Sequence, residues 1–259
     1  MKYIPLKVRV KRGRFNLYQA IREALKEQGE DILDDDILVI SSKFIAMSEG
    51  RVINLDSVKP SPEAVRLSNA AHIPSSLAEL ILREADRVYS TLPSFTLTIK
   101  YGMVVPNAGI DRSNVESGSA ILYPRDPVAS AEKIRLQILT DLGKRVGVVV
   151  TDSRLMPTRV GTTGIAVAVA GFEAVSDERG KRDLFGNIMR VTKRALADDI
   201  SAGASLVMGE TSESIPVVIV RGSGLTIIDR PIELEDLVID EEECIFIRGL
   251  SCHETTVYI

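Results

Sequence analysis

The chain has 259 residues, 45% of them hydrophobic and 26% charged, with a formal net charge of −4. That balance suits a globular protein whose core needs no staples, and it lacks the strongly basic footprint of a general nucleic-acid binder. The only cysteines are Cys244 and Cys252 and the only histidines His72 and His253, which excludes a His-rich metal cluster and leaves no Ser-His-Asp or Cys-His motif.

Charges interrupt the apolar residues of the opening MKYIPLKVRVKRGRF, and no stretch reaches the roughly 20 apolar residues of a membrane span. A cytoplasmic chain without a membrane or nucleic-acid partner is expected. Tyr3 to Val10 reads as a strand, and Asn16 caps a helix to about Gln28 whose Leu17, Ile21 and Leu25 share one face. Asp36 to Ile40 is a short apolar strand ending abruptly in Ser41-Ser42-Lys43, where α/β enzymes usually put ligand contacts. Ser61-Pro62-Glu63 starts a helix with a capping hydroxyl, a proline at the first position and an acid near the positive end. A second helix is expected from Ser76 to Val88, then strands Thr96 to Ile99 and Met103 to Val105 about a turn at Gly102. Asp126-Pro127 opens a helix that ends near Gly143, and Arg145 to Thr151 is a buried strand.

Gly164 to Gly171 fits either a strand or a close-packed helix. Asp183 to Asp199 reads as helical in its later part, with Ile188, Val191, Ala195 and Ile200 roughly in phase. Ile215 to Val220 is a strand whose proline suggests its start or an edge position, and the acidic run Glu233 to Glu243 a short helix on a solvated face. The alternation of strands and helices, with no repeat or linker, gives an α/β or α+β class.

Neither a GxxxxGK phosphate loop nor a GxGxxG after a strand occurs. What stands out is four polar clusters at the ends of apolar strands: Ser41-Ser42-Lys43, Asn107 to Asn114, Thr151 to Arg154 with Arg159 and Gly161, and Met208 to Glu213. Three of them contribute a carboxylate: Asp111, Asp152 and Glu210. Oxygen ligands suit Mg2+ or Mn2+, cations that share their coordination with substrate phosphates, and neighbouring lysine and arginine supply positive charge for phosphate oxygens. Singly, each cluster is more simply a turn, a cap or a solvated face.

Seven segments in order carry a resemblance: SSKFIAMSEGR (Ser41 to Arg51), NAGIDRSNV (Asn107 to Val115), PRDPVASAEKIR (Pro124 to Arg135), GKRVGVVVTDS (Gly143 to Ser153), GKRDLFG (Gly180 to Gly186), ADDISAGASLVMGE (Ala197 to Glu210) and IPVVIVRG (Ile215 to Gly222). Together the chain resembles the coenzyme F420-0:L-glutamate ligase family, the F420 γ-glutamyl ligases. The resemblance implies a mixed-sheet α/β fold with two interleaved lobes, one catalytic unit over 1–259 with its lobe boundary open, and a homodimer with the site near the subunit interface. It implies a reaction in which GTP activates the carboxylate of coenzyme F420-0 as an acyl phosphate, which the amine of L-glutamate then attacks, with two Mg2+ or Mn2+ ions per site.

Carried onto matching positions, Asp111 and Asp152 correspond to ligands of one metal, and Ser153 and Glu210 to ligands of the second. Ser42, Lys43, Asn114, the stretch Lys7, Val8, Arg9 and Val10, and the loop Met208, Gly209, Glu210, Thr211, Ser212, Glu213, Ser214 and Ile215 correspond to nucleotide contacts. By charge, Arg154 and Arg159 are the candidates to meet a phosphate or a substrate carboxylate during catalysis. The sequence departs from the family pattern at Met47, where a lysine is common, in the segment Leu155 to Thr158, and in GIAVAVAG at Gly164 to Gly171. Those departures leave open a paralogous ligase with another acceptor. A non-catalytic nucleotide or coenzyme binder is a third reading, which the retained carboxylates disfavour.

Overall fold

The computed structural model describes residues 1–251. Its main sheet has five strands: β1 (Lys2–Leu6), β2 (Ile37–Ser41), β8 (Gly147–Leu155), β9 (Thr162–Ala170) and β12 (Val217–Arg221), in the order β1-β12-β2-β8-β9. Only β2 and β8 run parallel; the other neighbours are antiparallel. The central strands read as nearly unbroken β-branched runs because both their faces are covered. Leu38, Ile40, Val148, Val150 and Ile219 pack with α1 (Leu17–Gln28), α2 (Ser42–Ser48) and α5 (Pro127–Leu142). Ile37, Val39, Val149, Val218 and Val220 pack on the opposite face with α6 (Leu196–Met208).

A second lobe is inserted between β2 and β8. The short pair β3 (Val52–Asn54) and β7 (Ser119–Ile121) forms its base. Above the base lie α3 (Pro62–Ala71), α4 (Ser75–Glu84) and the sheet β4 (Arg87–Leu92), β5 (Phe95–Lys100) and β6 (Met103–Pro106). This lobe has its own core of Leu55, Leu77, Leu80, Ile81, Ile110, Ala120 and Leu122. The boundary that the sequence leaves open therefore falls at Arg51 and Tyr123. Arg51 is buried there, donating from Nε to the Tyr123 carbonyl (2.8 Å) and from Nη2 to Glu84 (2.6 Å).

The caps expected at Asn16, Ser61 and Asp126 each accept an N–H of the first helical turn, and Gly143 closes α5 in the left-handed region. Several expectations need correcting. β1 stops at Leu6, and the stretch to Val10 runs on as irregular backbone, its Val8 N–H held by the Ser214 carbonyl. Ser42 and Lys43, read only as the polar end of the strand, open helix α2, because Phe44 and Ile45 are drawn into the core. The helix expected to Val88 ends at Glu84, and Arg87 onward pairs with β5. Gly164 to Ala170 is strand, and Gly171 ends it. Residues before Ala195 are not helical: β10 (Ser176–Asp177) and β11 (Lys193–Arg194) pair as the root of an exposed arm. Pro216 immediately precedes β12, an interior strand. The acidic run 233–243 gives only a single 3-10 turn, Leu234–Asp236, with α7 (Ile245–Ser251) following it. Cys252 and His253 lie outside the described residues.

α6 packs tightly on β9 because Gly164 has no side chain. A Cβ there would stand 2.4 Å from the Ser201 carbonyl oxygen and 3.0 Å from the Ser205 Cβ, so the helix backbone itself would have to move. Gly164→Ala is expected to cost about 1–3 kcal/mol as an overpacking substitution, read as a lowered urea midpoint at unchanged slope.

Candidate functional site

The parallel register of β2 and β8 sets Ser41 opposite Thr151, so the first residue beyond each lies at the same end of the sheet. Ser42, opening α2, donates from Oγ to Asp152 Oδ1 at 3.0 Å. Tyr123, where the chain returns from the inserted lobe, donates its hydroxyl to Asp152 Oδ2 in a short hydrogen bond. Burial pushes the Asp152 carboxyl up to about 6, against the Tyr123 and Ser42 hydrogen bonds and the nearby charge of Lys43, which pull it down. Burial and the Asp152 charge raise the Tyr123 phenol well above its ordinary value, so it stays a proton donor at neutral pH. Tyr123 is 4% exposed and stacks on Tyr101 with ring centroids 6.2 Å apart. Gly109 makes room for it: with φ +71° and a virtual Cβ 2.5 Å from the Tyr123 ring, only glycine fits.

Asp111 stands in the turn after β6, where it forms an isolated bridge with Ile121. Its Oδ1 accepts the backbone N–H groups of Arg112 and Ser113, and its Oδ2 accepts from the Ser113 hydroxyl (2.7 Å) and Lys43 Nζ (2.5 Å). Burial opposes ionisation of Asp111, but the hydrogen bonds from Lys43 and Ser113 outweigh it and hold the carboxyl below its ordinary value. Lys43 thus ties α2 to the inserted lobe and bears on both carboxylates.

The third component is the loop after α6. Gly209 (φ +69°) takes a turn that brings Glu213 beneath it, with a virtual Cβ only 2.3 Å from the Glu213 carboxyl carbon. Glu213 accepts from the Thr211 N–H (2.8 Å) and hydroxyl (3.0 Å), which folds the loop onto itself. Glu210 is exposed and accepts from the Thr162 hydroxyl at 3.3 Å.

These parts enclose a cavity of about 440 Å³. It gathers Val8, Arg9, Val10, Lys43, Asp111, Asn114, Asp152, Ser153 and the whole run Met208 to Ile215, all anticipated from the sequence. Met47 is in its wall too. Ser42 does not line it but supports Asp152 from behind. Lys7 is turned away, its backbone N–H and carbonyl both engaged by the Gln28 amide. Arg154 lines a separate cavity, and Arg159 is exposed in the turn between β8 and β9, outside both. Sequence reasoning missed Lys11, Phe44 and Ser205 in the wall, and Tyr123. Tyr123 carried no polar-cluster signal, since it sits in an apolar run, Ile121 to Pro124.

The carboxylate, hydroxyl and amide oxygens in the cavity fit a hard divalent cation. Among the described residues no three His, Cys, Asp or Glu side chains gather as a ready-made metal cage. A cation here would complete its shell with hydroxyls, waters and ligand phosphates. Among the described residues no helix is long and apolar enough to cross a membrane.

The F420-0:Gamma-glutamyl ligase family matches residues 6–222. Three similar proteins share the name "Coenzyme F420:L-glutamate ligase". That of Methanothermobacter thermautotrophicus is 42% identical over 203 residues, covering 78% of this chain and 81% of the relative. That of Archaeoglobus fulgidus is 40% identical over 218 residues, covering 84% and 86%. That of Methanocaldococcus jannaschii is 43% identical over 195 residues, covering 75% and 78%.

The raised Asp152 carboxyl has a thermodynamic consequence in buffer free of divalent cations. Its folded value of about 6 lies above the ordinary 3.8, so the folded chain binds the extra proton and loses stability as pH rises through that window. Asp152→Asn is therefore expected to be more stable than the wild type at pH 7, with the gap closing by about pH 4. Urea midpoints of both proteins at the two pH values test this.

Proposed function

Because the chain belongs to the F420-0:Gamma-glutamyl ligase family, we propose that it joins L-glutamate to the carboxylate of coenzyme F420-0 at the expense of GTP. The observation that carries this reading is the single cavity into which the two lobes and the α6 loop bring Lys43, Asp111, Asp152 and Met208 to Ile215. A carboxylate is a poor acceptor for an amine, so the reaction needs activation first. The coenzyme carboxylate oxygen takes the terminal phosphoryl group of GTP, giving an acyl phosphate and GDP. The glutamate nitrogen then bonds the acyl carbon, the carbon–oxygen bond to phosphate breaks, phosphate leaves with the electron pair, and the amine proton passes to water.

In this reading Asp111 and Asp152 hold one Mg2+ or Mn2+, and Ser153 and Glu210 the second, with the ions offsetting phosphate charge when bound. Ser42 and Tyr123 orient the Asp152 carboxylate, each occupying one oxygen and leaving a lone pair on each. Lys43 brings positive charge to the cavity, and the backbone N–H groups of the 208–215 loop, with Val8 to Val10 opposite, form the wall for the nucleotide. Purified protein with Mn2+ or Mg2+, L-glutamate and the unglutamylated coenzyme is expected to release GDP only when both substrates are present, with a coenzyme mass gain of one glutamyl unit. Asp152→Ala is expected to lower the rate at least about 100-fold. GTP binding without glutamyl transfer would instead favour a paralogous acceptor, a possibility that Met47 in the wall keeps in view.

We also propose that the chain is a homodimer, with the β10–β11 arm as a contact. Leu184 is 100% and Phe185 91% exposed there, with Ile188 and Val191 beside them, a patch that an isolated soluble chain has no reason to carry. Light scattering after size exclusion is expected to give twice the chain mass for the wild type and a shift to monomer for Phe185→Glu. A monomeric wild type would refute the assignment.

A further inference from the structure

A second cavity, of about 170 Å³, lies against the free edge of β9, walled by β6, β9, the first turn of α6 and the 237–247 segment. Most of its lining is apolar, and it carries three charged groups: Arg154, Asp198 and Glu241. Two of these are already engaged. Glu241 accepts from Arg87 and Tyr89, and Asp198 Oδ1 accepts the Ala166 N–H of β9 at 2.8 Å. Arg154 differs. It is half-buried, and among the described residues its guanidinium has no ion-pair or hydrogen-bond partner and is the only Lys or Arg side chain lining the cavity. A guanidinium presented in this way to a mostly apolar pocket is a receptor for a planar anion.

The position of Arg154 relative to the first cavity is fixed by the strand. Residues two apart on a strand share a face, so Asp152 and Arg154 point the same way from β8, about 7 Å apart along it. Tyr123 reaches Asp152 over this face. Asp152 lines the first cavity and Arg154 the second, so one face of β8 runs from the one to the other.

We propose that this cavity seats the amino-acid substrate of the ligase, its side-chain carboxylate on Arg154 and its α-amine directed along β8 toward Asp152. The inference rests on the ligase reading and names the residue that selects the amine donor. Its size agrees, being well below the roughly 300 Å³ at which drug-sized ligand sites begin, and so too small for a nucleotide or a flavin. Its reach agrees as well. From the α-nitrogen of glutamate to its side-chain carboxyl carbon is four bonds, about 5 Å extended, which with a hydrogen bond at the guanidinium end spans the separation of the two strand positions. A guanidinium in that place demands a carboxylate, so glutamine, isosteric but neutral, is refused.

The test is steady-state kinetics of wild type, Arg154→Gln and Arg154→Lys with L-glutamate and L-glutamine as competing amine donors. Arg154→Gln is expected to raise the KM for L-glutamate about 100-fold, leave the KM for GTP within about 2-fold, and abolish the preference for glutamate over glutamine. Arg154→Lys is expected to restore part of the preference, which a merely structural arginine would not. Unchanged KM for L-glutamate and unchanged preference in Arg154→Gln would overturn the proposal while leaving the ligase reading intact. Should the wild type form no glutamyl product, calorimetric titration of L-glutamate into wild type and Arg154→Gln decides. Binding lost in the variant keeps the cavity and removes the ligase reading, and no binding to the wild type ends both. Val104→Phe, which narrows the cavity from β6 without touching Arg154, is expected to weaken L-glutamate in the same way, and equal KM values in a folded variant would count against the site.

Discussion

The parallel pairing of β2 with β8 is the constraint from which the site follows. Parallel neighbours cannot be joined by a tight turn, and the connection here is the whole inserted lobe followed by α5. That long excursion returns through Tyr123, and the register of the pair puts Ser42 and Asp152 at the same end of the sheet. One topological requirement thus brings a half-buried carboxylate, a serine hydroxyl and a phenol together from three distant parts of the sequence. An ionised carboxylate in such a place costs several kcal/mol unless hydrogen-bonded, and these two hydroxyls provide donors without contributing a charge of their own. What remains is a carboxylate with a net demand for positive charge, met in part by Lys43.

The opposite wall depends on close approach rather than on charge. Gly164 on β9 and Gly203 on α6 both stand where a Cβ would collide, the first with the Ser201 carbonyl and the second with the Tyr3 ring. Their bareness lets α6 lie low on the sheet, which decides where its C-terminal loop emerges. Gly209 and Glu213 then fold that loop inward, and the Val8 N–H bonded to the Ser214 carbonyl fastens it to the segment after β1. The sheet supplies Asp152, the inserted lobe supplies Asp111, and the loop closes over both.

Much of this is legible in the sequence, and the reasons for the rest are physical. Asn16, Ser61 and Asp126 announced their helices because capping is local chemistry, and Asp111, Asp152 and the Met208 to Ile215 run stood out because polar clusters end apolar strands. The helix that Ser42 and Lys43 open gave no sequence signal because seven residues are too few to show a period, and only the burial of Phe44 and Ile45 decides it. The arm around β10 and β11 was read as helix because Ile188, Val191 and Ala195 fall in phase by accident, on a segment whose apolar side chains face outward. Tyr123 escaped for a different reason. Its place in the site depends on a hydrogen bond across 29 positions of sequence, to Asp152, and nothing in its neighbours hints at that partner. The family resemblance was legible because its segments recur in order, whereas charge alone grouped Arg154 with Arg159, and the structure separates them.

That separation bears on how an amide ligase avoids wasting its activated intermediate. An acyl phosphate reacts with water as well as with an amine, so the amine must be held in place beforehand and water kept out. Loops hold such geometry loosely, whereas neighbouring positions on a paired strand hold it to a fraction of an ångström. Asp152 and Arg154 are two residues apart on one face of β8, each paired across to β9. Of the two arginines, only the one on the strand has the rigidity to fix the distance between the end of the substrate that is recognised and the end that reacts. Arg159, in the exposed turn, lacks it. On the proposed reading, the rigid stretch of β8 from Thr151 to Leu155 is both the floor of the carboxylate site and the ruler that measures the incoming amino acid.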